Sequence, residues 1–408
     1  MVVIEGDEKA TVRVLGANIH GDYSDVLELR SLEIPRVDEL FRLLGANDVL
    51  IEVKFTDVNP VDLQKLRGRE AMVGCPVQNP PHVPGYGGSG VVVKVGSEIT
   101  NCSNNNNNNN SNGIRVKEGQ PVCFLADPTR LGSYGTHVVV DANCVAKIPP
   151  ASGDDNVSLS LLRDCACIPV AGLTAYESLA KCGLVGGTRE TKSSDSNQSS
   201  NGDGGTNISR RLLVVGASGG VGSWTMALAR ALNPGLEIVA TASTPAQQEW
   251  CLSLGADTAM KHDEILSRLG GGREGSVDAV VCLTEPTQEL FGTLSEVIKP
   301  YGIICLVVAG TSIASLNLGF CFFKCADVKT QTVFSSIRSG YRKIVPAEEL
   351  ALIIDLLASG RLKAPLSPDL ENGKTSESFR NALDENGVLN SLSELTGRRG
   401  NFVMKIDL

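Results

Sequence analysis

The chain has 408 residues, 42% of them hydrophobic and 20% charged, with a formal net charge of −9. That balance fits a soluble globular protein with room for two sizeable cores. Net acidity without any basic block excludes a nucleic-acid footprint, and no apolar run reaches the roughly 18 residues of a membrane span.

Acidic Glu5, Asp7 and Glu8 make the N-terminus unlike a secretory signal or a transit peptide, so a cytoplasmic setting is expected. Residues 25–34 and 49–56 then read as strands, the second alternating Val49, Ile51, Val53 and Phe55 against polar neighbours. Asn59-Pro60 leads into a short helical piece at 63–66. After a glycine-punctuated stretch, 90–95 reads as a strand. Seven consecutive asparagines make 100–113 a low-complexity surface loop. Strands are expected at 122–125, 136–140 and 144–148, and helices at 159–166 and 174–182. A second insert at 186–207 is rich in Ser, Gly, Asn and Asp.

Residues 212–215 form a charge-free, β-branched run that suits a strand buried on both faces, followed at once by Gly216-Ala217-Ser218-Gly219-Gly220-Val221-Gly222. A helix at 222–233 completes the strand, glycine turn and helix of a dinucleotide-binding unit. In it Gly219 lets the backbone approach a pyrophosphate, Gly222 lets helix pack on strand, and the helix N-terminus offers free amides. Strands at 237–242, 277–283 and 302–308 alternate with helices at 246–254 and 288–298, which predicts a doubly wound parallel sheet. The helix at 348–359 is amphipathic, and 401–406 alternates like a strand returning to the first sheet. The predicted fold class is α/β: a β-rich domain into which a cofactor domain is inserted.

The second strand of the cofactor domain ends Ala242-Ser243-Thr244-Pro245, without the acid that holds a ribose 2′-hydroxyl in NAD sites. Missing negative charge and two hydroxyls at Ser243 and Thr244 predict NADPH. No arginine stands at the tip, and Lys261 is a more distant cation. The four histidines, His20, His82, His137 and His262, show no ligand-like grouping, so no metal site is predicted. Ten of the twelve cysteines stand singly and Cys165 and Cys167 form C-x-C, a pattern of buried thiols.

An ordered series of motifs then resembles one superfamily. Its carriers are Val58-Asn59-Pro60-Val61-Asp62, Pro84-Gly85-Tyr86, Gly90-Val91-Val92, Asp127 to Tyr134, Gly172-Leu173-Thr174-Ala175-Tyr176-Glu177, Gly216 to Gly222, Ala240-Thr241-Ala242-Ser243 and Asp278 to Thr284. The chain resembles the zinc-independent quinone oxidoreductase branch of the medium-chain dehydrogenase/reductases, in its zinc-type alcohol dehydrogenase-like group. The resemblance implies a GroES-like catalytic domain at 1–154, a Rossmann cofactor domain at 155–330 and a return to the catalytic domain at 331–408. It implies that Asn59, Thr174 and Phe334 lie at the nicotinamide. It also implies that Leu283, Thr284, Val308 and Ala309 cover the cofactor. Zinc-dependent relatives have cysteine where Asn59 stands and Gly-His-Glu where Gly85-Tyr86-Gly87 stands. Two departures from the branch are Gly87, where aspartate is usual, and Asn401, near which a lysine is usual.

The implied activity is hydride transfer from NADPH to a quinone or an α,β-unsaturated carbonyl, a small-molecule electrophile, in a homodimer. Asn59 and Tyr86 are the candidate contacts to the substrate oxygen, with solvent supplying the proton; Tyr86 equally fits a packing role, and Asp62 a helix cap. A 2-enoyl thioester (enoyl-CoA) reductase shares the fold, but its catalytic tyrosine has no counterpart at Leu66-Arg67-Gly68-Arg69-Glu70. A non-catalytic NADPH-binding sensor or structural protein is the reading from another class.

Overall fold

A computed structural model describes residues 10–20, 28–34, 44–68, 82–99, 116–150, 156–186, 210–338, 345–368 and 399–406. The expected loops at 100–113 and 186–207 lie outside the described residues (Gly186 excepted), as do Arg69, Glu70, Cys75, Cys102 and the start of the strand expected from Asp25. The chain divides into two compact units. The first comprises Met1–Val170, Ser336–Thr396 and Phe402–Leu408, the second Ala171–Ser335 and Gly397–Asn401.

In the first unit β1 (Ala10–Gly16) and β2 (Glu28–Ile34) pair antiparallel. A separate sheet contains β3 (Asp48–Val58), β4 (Gly87–Val95), β5 (Pro121–Leu125), β6 (His137–Asp141) and β7 (Val145–Lys147). The last described strand, Phe402–Lys405, returns antiparallel to β3 with Phe402 beside Val58. β3 is buried along most of its 11 residues because β4, β6 and the returning strand all pair with it. The glycines of β4 follow from that crowding: a Cβ at Gly90 would sit 2.1 Å from the Glu52 carbonyl oxygen. Helix Leu159–Ala166 starts and ends where the sequence predicts, with Ser158 as its N-cap. It groups with this unit rather than with the cofactor domain expected from 155. Its Leu162 carbonyl accepts from the Ser89 hydroxyl at 2.7 Å, and its Cys165 carbonyl from the Cys123 thiol at 3.1 Å.

The second unit holds a wholly parallel sheet of β8 (Arg211–Val215), β9 (Glu237–Thr241), β10 (Thr258–Met260), β11 (Val277–Cys282), β12 (Ile298–Leu306) and β13 (Asp327–Thr330). Their order is β10-β9-β8-β11-β12-β13, the doubly wound arrangement of a Rossmann sheet. Leu213, Val215, Val280, Cys282, Ile304 and Phe291 form part of its buried core. β12 begins four residues before the expected Gly302. The extra stretch carries Tyr301 at φ 61° and a register shift against β11, so periodicity breaks within a single strand. The short strands β10 and β13 were not expected.

No helix among the described residues is long and apolar enough to cross a membrane. Of the ten described cysteines, nine are buried free thiols and Cys325 is exposed. His82, bridged to Ala17, is buried beneath His20, the ring centroids 4.1 Å apart.

Candidate functional site

In the second unit the strand order turns back between β8 and β11. In open parallel sheets such a switch point is where ligands bind, beyond the carboxyl ends of the strands. Gly216 follows β8 with φ 76°, and a Cβ on it would lie 2.7 Å from the Thr284 methyl. The Leu283 amide donates to the Val215 carbonyl at 3.0 Å, so Gly216, Leu283 and Thr284 meet at one point. The Gly216 amide donates to the Thr241 hydroxyl at 3.2 Å and the Ala217 amide to the Thr241 carbonyl at 3.0 Å, which ties the turn to the end of β9.

The remaining glycines of the turn have different physical reasons. A Cβ on Gly222 would come within 2.4 Å of the Ala217 carbonyl oxygen, so helix Gly220–Leu232 sits too close to the turn for any side chain there. A Cβ on Gly220 would reach 2.6 Å from Asn401 Oδ1, and Asn401 Nδ2 lies 3.4 Å from the Gly220 carbonyl. A Cβ on Gly219 would meet no atom nearer than Gly216 O at 4.0 Å, so packing within the protein does not require glycine at 219. Ser223 is the first residue of the helix whose amide finds a carbonyl, Gly219 O at 2.8 Å, so the amides of Gly220, Val221 and Gly222 precede the ladder. The Ser218 carbonyl accepts from the Gly400 amide at 2.9 Å and the Ser223 hydroxyl at 3.3 Å, and Ser223 accepts from the Trp250 indole at 2.9 Å.

Ser243 and Thr244 are exposed beyond β9. Thr244 is the N-cap of helix Pro245–Ser253, accepting from the Gln247 amide at 3.3 Å, while Gln247 Oε1 accepts from the amides of Ser243 and Thr244. β10 runs with Met260 beside Thr241, which carries Lys261 and His262 to the same end of the sheet. His262 Nε2 is 3.4 Å from the Thr241 hydroxyl, and burial holds its imidazole below the usual range. Val308 and Ala309 follow β12 beside Gly310. Glu285, beyond β11, accepts from the Thr311 hydroxyl and from the amide and hydroxyl of Ser312, clasping the two loops together. Thr174 is buried in helix Leu173–Lys181, its carbonyl accepting from Ser178 at 2.6 Å, in a polar cluster where Gln331 donates to Glu177. Phe334 is buried three residues beyond Gln331.

In the first unit Asp62 ties Asn59 to Gly85, the residue before Tyr86. Asn59 caps helix Pro60–Leu66, and the Asp62 carboxylate accepts from the Asn59 amide at 2.7 Å, the Gly85 amide at 2.9 Å and the Tyr134 hydroxyl at 3.3 Å. Asp62 therefore completes the capping box of this helix and also pins the residue before Tyr86. The Tyr86 side chain is buried, with the Lys65 ammonium 5.5 Å from its ring centre and also donating to the Arg130 carbonyl at 3.2 Å. Where the resemblance leads one to expect aspartate at Gly87, the space is taken: a Cβ there would lie 2.9 Å from each oxygen of Asp57, on the neighbouring strand. Sequence reasoning passed over Asp57 and Thr241. The available signal for Asp57 was a carboxylate closing a strand that is otherwise apolar on that face.

The chain matches the family described as the alcohol dehydrogenase GroES-like domain over residues 45–150. It is 33% identical over 289 residues to a zinc-type alcohol dehydrogenase-like protein of Schizosaccharomyces pombe, covering 70% of this chain and 69% of that one. The chain belongs to the medium-chain dehydrogenase/reductases, in their zinc-type alcohol dehydrogenase-like group. Within this family it is also 31% identical over 245 residues to the 2-methylene-furan-3-one reductase of Solanum lycopersicum, over 58% of this chain and 49% of that one. The fold is shared with the quinone oxidoreductase of Coxiella burnetii at TM-score 0.66 and 20% identity, over 97% of this chain and all of that one. As a medium-chain dehydrogenase/reductase the chain is an oxidoreductase, and nicotinamide dinucleotide binding is expected of it.

Proposed function

We propose that the chain is an NADPH-dependent reductase that delivers hydride to a quinone or an α,β-unsaturated carbonyl without zinc. The observation that carries the cofactor choice is the end of β9: Ser243 and Thr244 are exposed there with no carboxylate, and Lys261 reaches the same sheet end. Hydroxyls and a cation favour a 2′-phosphate, whereas an acid would repel it. The turn fits a dinucleotide, since glycine at 219 has no packing reason and the helix behind it is long enough to present its first amides to a pyrophosphate. Gly216, Ser218, Gly219, Gly220, Val221 and Gly222 would cradle it. Leu283, Thr284, Val308 and Ala309 would flank it, and Thr174 and Phe334 would lie toward the nicotinamide.

When bound, NADPH supplies the hydride. The protein's part is to orient the acceptor and to stabilise the anion formed on its oxygen, roles we give to the Asn59 amide and the Tyr86 hydroxyl. Absence of zinc follows from donor chemistry: at the positions where zinc-dependent relatives carry Cys, His and Glu stand Asn59, Tyr86 and Gly87. Neither a carboxamide nor a buried phenol replaces a thiolate or imidazole on that metal. The acceptors named for the tomato and Coxiella proteins, a furanone and a quinone, support this substrate class.

The same reading places the protein in the cytoplasm, as a homodimer. β13 is an open sheet edge, and Phe322 and Phe323, just before it, are 78% and 86% exposed.

Initial rates with NADPH and NADH test the cofactor assignment. The natural chain is expected to prefer NADPH by tenfold or more, on the order of 1.4 kcal/mol. Ser243→Asp is expected to move that preference toward NADH by about 30-fold, from repulsion of the 2′-phosphate worth about 2 kcal/mol. Equal rates with both cofactors in the natural chain would remove the NADPH assignment.

A further inference from the structure

Asp57 is the next-to-last residue of β3, two before Asn59. Both of its oxygens are buried, and no donor meets either in hydrogen-bond geometry; Asn59 Nδ2, nearby, is likewise buried without an acceptor. The carboxyl occupies the space that a side chain at residue 87 would claim, with Pro169 Cβ only 2.8 Å from the same point. Asp62, five residues on, is the opposite case, with three donors on its two oxygens. A buried carboxyl without a well-formed hydrogen bond destabilises a fold by roughly 1–3 kcal/mol even when neutral, and by more when charged. Such a group persists where the site itself needs it.

The surroundings decide its protonation. Burial, then the nearby charge of Asp62, pushes the Asp57 carboxyl up to about 8, with the Asn59 amide and the backbone of Asp57 and Val170 opposing only part of this. Burial likewise lifts Asp62 to about 7, against its own hydrogen bonds and the Lys65 ammonium. The other titratable groups facing Asp57 are the Cys123 thiol from β5, the Cys167 thiol after helix Leu159–Ala166, and the Tyr134 phenol. Burial raises all three well above their ordinary values, so they stay neutral and lend Asp57 no positive charge.

We propose that Asp57 is the proton donor of this site, giving its carboxyl proton to the anion left on the acceptor by hydride addition, in place of solvent. This rests on the reading above, in which Asn59 contacts the acceptor oxygen. The acceptor gains two electrons and one hydrogen as hydride, and the reduced nicotinamide dinucleotide is oxidised. The Asp57 O–H bond then breaks, and the proton forms a new bond on the enolate or hydroquinone anion. Asp57 is left as a carboxylate and regains its proton from water before the next turnover.

Asp57→Asn keeps the shape and removes the proton, so it is the direct test, read in two ways. Infrared spectroscopy of the cofactor-free protein should show protonated-carboxyl C=O intensity that remains after Asp62 has titrated near pH 7, fades near pH 8 and is missing from D57N. In turnover of a quinone or enal with NADPH, D57N should lower kcat by about 100-fold with KM and NADPH affinity within about twofold. The natural enzyme should lose kcat as pH rises through about 8, because the donor must carry its proton, and D57N should lack that alkaline limb. A D57N kcat within about threefold of the natural value, or no carboxyl band assignable to Asp57, overturns the proposal. If D57N does not fold, the band of the natural chain followed from about pH 6 to 9 decides: fading near 8 supports the donor, and no band overturns it. A natural chain that binds NADPH yet reduces no acceptor overturns the reductase reading, and the donor role falls with it.

Discussion

Replacing Gly222 with alanine is expected to destabilise the second unit by about 2–3 kcal/mol, through overpacking against backbone that cannot yield. The added methyl would lie 2.4 Å from the Ala217 carbonyl oxygen and 2.6 Å from its carbonyl carbon. Helix propensity acts the other way, since alanine is better than glycine by about 1 kcal/mol, but a clash with main chain outweighs it. To escape, the helix must move off β8, and that opens the turn carrying Gly216 and Ser218. Thermal unfolding should fall by about 5–10 °C, with loss of NADPH binding. Gly219→Ala is the control, because its Cβ would meet nothing closer than 4.0 Å. It should leave the melting temperature within about 2 °C while still weakening NADPH by tenfold or more. If Gly219→Ala instead binds NADPH normally, the turn does not receive the pyrophosphate.

The second large effect belongs to Lys324. Its ammonium is carried into the protein at the end of helix Gln288–Val297, where it donates to the carbonyls of Ser295 at 3.0 Å, Glu296 at 2.6 Å and Ile298 at 2.7 Å. A helix leaves its last carbonyls unpaired and partly negative, so one buried cation satisfies several acceptors at once. Burial lowers the Lys324 pKa, with Cys321 and Glu296 opposing. Lys324→Met keeps the length of the side chain and leaves three carbonyls without this donor. The expected cost is about 2–4 kcal/mol, read as a fall in the denaturation midpoint at unchanged slope. Little change in that midpoint would mean that water takes over the three carbonyls.

How much of this was legible in the chain depends on how local each feature is. The 212–215 run announced a doubly buried strand by its apolar, β-branched texture, and the helix expected at 159–166 has those bounds in the structure. The close packing at Gly222 was also legible, because a dinucleotide turn sets helix against strand at that position. β10 and β13 were not. They are three and four residues long, and Asp327 and Lys329 give β13 the charge of an exposed edge. Lys324, at the end of helix Gly319–Lys324, carried no signal in the sequence, since only the fold brings it to the carbonyls of helix Gln288–Val297. Asn401 reaches Gly220 across 181 residues of sequence, a distance over which spacing carries no signal. Asp57 was missed for a further reason: its meaning lies in the missing side chain at Gly87 on the next strand.

The most direct test of the account is NADPH oxidation, followed by absorbance, with 9,10-phenanthrenequinone and with an enal, on protein dialysed against a strong zinc chelator. Metal content is measured on the same sample. Full turnover is expected in the chelated protein, faster with NADPH than with NADH, and no stoichiometric zinc. Turnover that vanishes on chelation and returns with added zinc would contradict it, because Asn59 and Tyr86 would then not be the groups that stabilise the substrate anion.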